Sequence, residues 1–324
     1  MRTTRRSHRT LAVTAAAAAA VLALSACGSS ADDTSTSASD APGSGDRPDT
    51  LVLASIPSED STSLKQEFSL IGQVIEEETG IPVEFQNATD YAAVIEAQRA
   101  GKVHLGHYGP FSYATARDSG VPVEPIAAFA DSADEKAGYQ SFAIVPAGSD
   151  IRSLEDFRGR TVCFVDPTST SGYLYPSAGL LEAGIDPEKD VTPIFAGGHD
   201  AAALAVKNGQ CDAGFAFDTM ITDTLVEKGD LQEGDLDVIW KSETIAASPT
   251  AILTTLPQDL VDQITEIFRT KLNRPALVAS GHCASEEECE LPDGAEYGYI
   301  PVTDEIYDGV RKVCDITKSA SCTS

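Results

Sequence analysis

A run of three hydroxyl side chains, Ser169-Thr170-Ser171, followed by Gly172, is the part of the sequence best suited to bind a ligand. The apolar residues before the run predict a buried strand, and the residues after it predict a helix. The free N–H groups at the start of a helix, together with the positive end of its dipole, attract anions without any Lys or Arg. N-capping is the simpler interpretation, but one hydroxyl is enough for a cap. Three in a row therefore favour an anion site.

Three further side chains could donate hydrogen bonds to the same anion. His199 follows two glycines at the predicted start of another helix, and Tyr91 follows Asp90 at the start of a third. Tyr139 offers a second phenolic O–H. Each also has an ordinary interpretation, as a cap or surface histidine or as an aromatic ring in a half-buried position. Together with the hydroxyl run, they point to an oxyanion ligand.

Asp218 directly follows a predicted strand, 212–217, so its carboxylate could accept a hydrogen bond from a ligand P–OH or from an ammonium group. Capping of the next helix is an equally good interpretation. No metal or cofactor is expected, because the cysteines form no C-x-x-C pair and the histidines do not cluster. An exported hydrolase using His199 with Asp200 or Asp218 is the least favoured class, since G-x-S-x-G and H-E-x-x-H are absent.

Alternating strands and helices must position these side chains. Chains of this pattern build parallel sheets covered on both faces, with ligands beyond the carboxyl ends of the strands. The loops 87–91, 166–172, 197–200 and 218–219 all follow predicted strands. The predicted strands are 51–56, 81–85, 103–107, 140–145, 161–165, 191–195, 212–217, 236–240 and 250–254. The predicted helices are 64–79, 90–100, a short one from 111, 153–157, 171–183, 200–208, 219–228, 260–272 and 306–313.

Six short motifs, in this order, make the sequence resemble the phosphate/phosphite/phosphonate-binding proteins of bacterial ABC importers. They are Asp90-Tyr91, His107-Tyr108-Gly109-Pro110, Gly138-Tyr139, the segment 166–172, the segment 195–200 and Asp212-Ala213-Gly214. The resemblance spans about residues 50–272. It implies an α/β chain with the type II periplasmic-binding-protein fold, in which two lobes close on a ligand in the cleft between them.

The resemblance also implies a set of ligand contacts and partners. Asp218 would lie near the ligand tail, and Ser248 stands where some aminophosphonate binders carry an Asp. The implied partners are a small oxyanion and the permease and ATPase subunits of an importer. The resemblance also implies that this chain itself has no enzymatic activity. A receptor for a sulfonate or another small organic anion is the alternative. The implied donors to the anion are Tyr91, Tyr139, Ser169, Thr170, Ser171 and His199.

The first 49 residues read as an export and anchoring segment. A basic stretch and an apolar run too short to span a membrane predict a signal peptide over residues 1–26. Leu24-Ser25-Ala26-Cys27 resembles the lipobox of bacterial lipoproteins, in which the cysteine is lipidated. A plain cleaved signal peptide is the alternative. Residues 27–49, rich in Gly, Ser, Asp and Pro, predict a flexible tether to the outer face of the bacterial cytoplasmic membrane.

The remaining sequence predicts two lobes, one from residues 50–140 plus 248–324 and one from 141–247, in a monomer. A formal net charge of −27 argues against nucleic-acid binding. Export permits disulfides, and six cysteines besides Cys27 allow fifteen pairings. Short spacing favours Cys283–Cys289 and Cys314–Cys322, which leaves Cys163–Cys211.

Overall fold

The computed structural model describes residues 45–57, 64–133, 138–292 and 294–322. The predicted signal peptide, the predicted lipidation site Cys27 and most of the predicted tether lie outside the described residues. In the part of the chain that is described, no helix has the length and apolar character needed to cross a membrane.

The described strands form two α/β lobes, each built on its own sheet, and a small third ladder. The strands are β1 Leu51–Ser55, β2 Val83–Asn87, β3 Leu105–His107, β4 Val123–Ala130, β5 Gly138–Tyr139, β6 Ser141–Pro146, β7 Thr161–Phe164, β8 Thr192–Phe195, β9 Ala213–Phe217, β10 Leu236–Lys241, β11 Ile245–Ala246, β12 Pro249–Leu253 and β13 Gly298–Pro301. The first sheet has the order β13-β4-β12-β3-β1-β2, the second has the order β10-β6-β9-β7-β8, and the third pairs β5 with β11.

Both main sheets are mixed, whereas the sequence predicted parallel sheets. β1 runs parallel to β2 and β3, and β7 runs parallel to β8 and β9. β12 is antiparallel to β3 and β4, and β6 is antiparallel to β9 and β10. The reason is the chain path. β6 and β12 each follow a strand of the β5–β11 ladder directly, so they enter their sheets at the edge where their neighbours end.

Helices cover the sheets, and their boundaries follow local sequence signals. The Asp90 side chain accepts a hydrogen bond from Ala93 N and so caps α3, as the sequence predicted. The α-helices are α1 Leu64–Glu67, α2 Ser69–Thr79, α3 Tyr91–Arg99, α4 Pro110–Asp118, α5 Tyr175–Glu182, α6 His199–Lys207, α7 Leu225–Glu227, α8 Gln258–Thr270, α9 Arg274–Ser280 and α10 Asp308–Thr317. Single 3₁₀ turns lie at Leu154–Phe157, Asp304–Tyr307 and Ala320–Cys322, and π-helical turns at Thr170–Leu174 and Met220–Thr224.

Several elements differ from the sequence-based expectation. The predicted helices 171–183 and 219–228 each begin with a π-helical turn instead of an α-helical one. Strand β4 was not predicted, because Pro125 interrupts its apolar run and proline usually excludes a central strand. Here the pairing with β12 shifts register near Pro125, which accommodates it. Strand β13 and helix α9 were also missed, since both are short and contain proline.

The structure contains the three disulfides that the cysteine spacing predicted. The Cα atoms are 5.8 Å apart for Cys163–Cys211, 5.3 Å for Cys283–Cys289 and 5.7 Å for Cys314–Cys322. The first bond is deeply buried and joins β7 to the residue two positions before β9, its parallel neighbour. It therefore ties together the two strands from which much of the cleft wall of the second lobe extends.

Candidate ligand-binding site

A cavity of about 190 Å³ lies between the two main sheets, at the edge where most of their parallel strands end. All eight residues that the sequence predicted at a ligand site line it: Tyr91, Tyr139, Ser169, Thr170, Ser171, His199, Asp218 and Ser248. Sequence reasoning did not assign the other wall residues to the site, and these include Ile56, His107, Gly109, Phe129, Phe217, Thr219 and Ala247. None of the described lining residues is a Lys or an Arg.

The hydroxyl run is held by the π-helical turn that follows β7. Ser169 Oγ accepts a hydrogen bond from Gly172 N at 3.1 Å, and Leu174 N donates to Ser169 O at 3.0 Å, which closes the wide turn. Glycine is required at 172, because a Cβ there would lie 2.3 Å from Val165 Cγ2. The three hydroxyls are at most 2% exposed. The turn thus directs the three hydroxyls into the cavity and away from bulk water.

Thr170 also reaches the first lobe. Its Oγ1 accepts a hydrogen bond from Phe111 N, at the N-terminus of α4, at 2.8 Å. Because the oxygen is already used as an acceptor, the hydroxyl hydrogen remains available to donate. Thr170 can therefore serve as a donor to an anion while its oxygen connects the two lobes.

His199 is a neutral donor whose tautomer follows from its contacts. Phe217 N donates to Nδ1 at 3.2 Å, so the hydrogen of the neutral ring resides on Nε2. Burial lowers the pKa of His199 to about 3. Nε2 lies 3.4 Å from Ser169 Oγ. In this tautomer Nε2 is a hydrogen-bond donor and cannot accept the proton of the Ser169 hydroxyl.

Tyr91 supplies the clearest indication that something binds here. Its side chain is 1% exposed, and its Oη has no hydrogen-bond partner among the described residues. Burial raises the pKa of Tyr91, and the nearby Ser169 hydroxyl opposes the rise without forming a hydrogen bond of good geometry. A buried hydroxyl without a partner is unfavourable, so this O–H is expected to meet a ligand acceptor.

Tyr139 and Asp218 lie at the crossing between the lobes. Burial raises the pKa of Tyr139, while the hydroxyls of Thr170 and Ser171 lie close enough to oppose the rise. The Asp218 carboxylate accepts hydrogen bonds from Gln140 N and Thr219 N, both at 3.1 Å. Burial nevertheless raises the pKa of Asp218. Its carboxylate is thus partly structural, and its remaining lone pairs can accept a hydrogen bond from a ligand.

The first lobe contributes a less polar wall that the sequence did not reveal. His107 ends β3, and its ring stacks on Phe129 with the centroids 4.3 Å apart. Ile56 and Ala247 continue the wall, and Ser248 is a half-buried part of it. His107 stood at the end of a correctly predicted strand, on the edge where ligands were expected. That position was the available signal.

The arrangement suits the binding of a small oxyanion by neutral donors in a cavity that excludes much of the solvent. Hydroxyl, phenol and imidazole donors converge from both lobes, and the lining carboxylate of Asp218 can accept a proton-bearing oxygen. In the described part of the chain, no three His, Cys, Asp or Glu side chains are grouped so that they could hold a metal ion.

Comparisons with known proteins identify the family. Residues 53–278 match the family model described as "ABC transporter, phosphonate, periplasmic substrate-binding protein". The chain is 44% identical over 283 residues to the phosphate-import protein PhnD of Mycolicibacterium smegmatis, covering 85% of this chain and 88% of that one. It is 31% identical to the phosphonates-binding periplasmic protein of Escherichia coli, over 67% and 65% of the two chains. The crystal structure of a binding protein component of an ABC phosphonate transporter from Pseudomonas aeruginosa aligns with a TM-score of 0.72 and 25% identity, over 84% of this chain and 87% of that one.

Proposed function

The chain belongs to the family of periplasmic substrate-binding proteins of phosphonate ABC transporters, and from this premise we propose that its cleft binds a small tetrahedral phosphorus oxyanion. The observation that carries the proposal is the buried Tyr91 Oη, which has no partner among the described residues and lies beside the hydroxyl run. Phosphate, phosphite and small phosphonates share the compact group of acceptor oxygens that such donors require.

The donors divide between the lobes. Ser169, Thr170, Ser171 and His199 of the second lobe bind the oxygens of the anion, and Tyr91 binds from the first lobe. Tyr139, on the crossing strand β5, adds a donor where the lobes meet. Since all of these groups are neutral, the anion is stabilised by hydrogen bonds and by the helix starts that follow the strands.

Asp218 favours a phosphorus ligand over a sulfonate. Its carboxylate can accept a hydrogen bond from a P–OH group, and the elevated pKa of Asp218 reflects an environment with little solvent. A sulfonate or sulfate carries no proton near neutral pH, so its oxygens would face the carboxylate without a hydrogen bond. This repulsion makes the sulfonate receptor the weaker alternative.

The protein acts outside the cytoplasm, held by a lipid on Cys27 at the outer face of the cytoplasmic membrane, and delivers its ligand unchanged to a permease driven by ATPase subunits. The family places its members outside the cytoplasm. The lipobox-like sequence Leu24-Ser25-Ala26-Cys27 supports the anchor. We expect a monomer whose two lobes, 50–140 plus 248–324 and 141–247, close on the ligand.

Calorimetric titration with phosphate, phosphite, methylphosphonate, 2-aminoethylphosphonate and sulfate tests the proposal. Thr170→Ala and His199→Ala should each weaken binding of the preferred phosphorus ligand by about 1.5–3 kcal/mol, because each removes a hydrogen bond to a charged group. Thr270→Ala, on the exposed face of α8, is the matched control and should bind as the wild type does. If both cleft variants retain wild-type affinity, the ligand binds elsewhere.

A further inference from the structure

Resting on the proposed function, we propose that His107 is a ligand-binding residue of the first lobe, and that its Nε2–H selects an oxygen as the fourth substituent on phosphorus. In this proposal the donors of the second lobe and the tyrosines bind three of the four substituents on phosphorus, and His107 meets the fourth. The fourth position is the one that separates phosphate from phosphite and methylphosphonate, which carry a hydrogen or a methyl group there.

His107 is held rigidly with one edge towards the cavity. The residue is 7% exposed and lines the cavity. Its ring stacks on Phe129 and lies 5.6 Å, centroid to centroid, from Phe68. Nδ1 lies 3.3 Å from Thr250 Oγ1, on the neighbouring strand β12. The described residues provide no hydrogen-bond partner for Nε2, on the other side of the ring.

The state of the ring makes Nε2 a donor. Burial lowers the pKa of His107 to about 3, so the ring is neutral at physiological pH and carries a single N–H. When the Thr250 hydroxyl donates to Nδ1, the hydrogen of the neutral ring is on Nε2, and this is the tautomer that the proposal requires. Since no acceptor for Nε2–H is found among the described residues and the ring lines the cavity, this N–H can donate into the cavity.

The position of His107 selects the atom it meets. The hydroxyl run and His199 belong to the second lobe, whereas His107 belongs to the first, so the ring faces the side of the anion that the second lobe leaves uncovered. The surrounding wall of Ile56, Phe129 and Ala247 is apolar, and the hydroxyl of Ser248 is the other described donor on this side. A hydrogen or methyl substituent would leave Nε2–H unpaired, whereas a fourth oxygen would accept its hydrogen bond.

The test compares phosphate with methylphosphonate in wild type and in His107→Phe. Phenylalanine retains a flat ring that can stack on Phe129 but has no donor. We expect the dissociation constant for phosphate to rise at least tenfold, about 1.4 kcal/mol, while that for methylphosphonate changes less than threefold. His282→Phe is the matched control, since His282 contacts Glu77 and Ser280 away from the cavity, and it should change neither constant.

A spectroscopic arm keeps the inference testable if His107→Phe does not fold. In ¹⁵N-labelled wild type, the Nε2–H proton of His107 should move downfield on adding phosphate and move less with methylphosphonate. The inference about His107 is wrong if phosphate leaves the Nε2–H resonance unchanged, or if His107→Phe changes the dissociation constants for phosphate and methylphosphonate by the same factor. Either result leaves the proposed function standing. Wild type that binds neither phosphate nor methylphosphonate overturns the proposed function as well.

Discussion

At the scale of single residues, the described wall of the cleft offers neutral hydrogen-bond donors and no positively charged side chain. His199 is kept neutral by burial, and its hydrogen is directed to Nε2 by the N–H of Phe217. Tyr91 is buried, and its hydroxyl has no hydrogen-bond partner in the described part of the chain. Donors arranged in this way discriminate among oxyanions by the number and direction of acceptor oxygens, because no diffuse ionic attraction dominates the energy.

The ligand tail is the first property to test at this scale. Asp218 could pair with an ammonium group, but Ser248 is neutral, which leaves Asp131 as the other carboxyl group among the described lining residues. A buried amine with few partners is costly to desolvate, so we expect a small tail to be preferred. The measurement is the affinity for methylphosphonate and 2-aminoethylphosphonate in wild type and in Asp218→Asn. Tenfold tighter binding of the aminated ligand, lost in Asp218→Asn, would instead make Asp218 the ammonium partner.

The two cleft histidines also predict how stability depends on pH. Burial lowers the pKa of both His107 and His199 to about 3, well below the ordinary value of 6.5. Below pH 6.5 these two histidines are protonated in the unfolded chain but remain neutral in the folded protein. The contribution of these histidines to the free energy of unfolding is therefore largest above pH 6.5. It falls towards pH 3, by about 1.4 kcal/mol per pH unit for each histidine.

Urea unfolding at pH 7.5 and pH 5 measures this effect. When the pH is lowered from 7.5 to 5, the free energy of unfolding of His199→Gln should fall by about 2 kcal/mol less than that of wild type, because one titrating histidine has been removed. Thr270→Ala, which removes no titrating group, is the control and should lose as much stability as wild type. Equal losses in wild type and His199→Gln would show that this histidine does not resist protonation.

At the scale of elements, the cleft of the second lobe is built on two π-helical turns. Thr170–Leu174 precedes α5 and Met220–Thr224 precedes α7, and each follows closely on a strand that ends at the cavity. A π-helical turn inserts one extra residue, which widens the turn and reorients the side chains at its start. In the first turn, this widening presents consecutive hydroxyls to one small space.

Gly172 makes the first of these turns possible, and its substitution is the test. In Gly172→Ala the new Cβ would lie 2.3 Å from Val165 Cγ2 and 2.7 Å from Ser169 Oγ, so the turn must shift. We expect at least tenfold weaker ligand binding and a loss of about 1–3 kcal/mol in stability, as for other overpacked sites. Gly309→Ala is the control, because no atom lies within 4 Å of its Cβ position. Unchanged affinity in Gly172→Ala would argue against a role for the turn.

At the scale of the whole molecule, the two lobes are joined by the short β5–β11 ladder. Tyr139 pairs with Ile245 and Gly138 with Ala246, so the two crossing segments support each other. Helix α10 packs on both α4 and α5, and the disulfide Cys314–Cys322 fastens its last turn to the residues that follow. Two such crossings are the usual basis of hinge closure, and we expect the lobes to rotate about them.

Closure predicts a change of shape with ligand. Small-angle scattering of the purified protein should give a smaller radius of gyration with saturating phosphate or methylphosphonate than without either. Thr170→Ala, measured at the same ligand concentration, should shift less towards the compact form, because it loses both a ligand contact and its hydrogen bond to Phe111 N. Identical curves with and without a ligand that calorimetry shows to bind would contradict hinge closure.

The sequence by itself determined the features that depend on neighbours along the chain. The hydroxyl run after a strand, the capped start of α3 and the order of the cleft loops follow from local patterns, and so does the pairing of closely spaced cysteines. These patterns resembled a known family, and the family match and relatives confirmed the fold and the importer class. Local backbone preferences and capping were sufficient for this, because each involves only a few consecutive residues.

Only the tertiary structure decided which distant residues meet across the cleft. His107 meets Thr250, and His199 receives its hydrogen bond from a strand that lies later in the chain. The contact between Thr170 and Phe111 likewise joins two lobes. The direction of β12 and the use of Pro125 within β4 depend on how the chain crosses between sheets. Such contacts arise from packing between distant segments, so they could not be predicted from periodicity or spacing in the sequence.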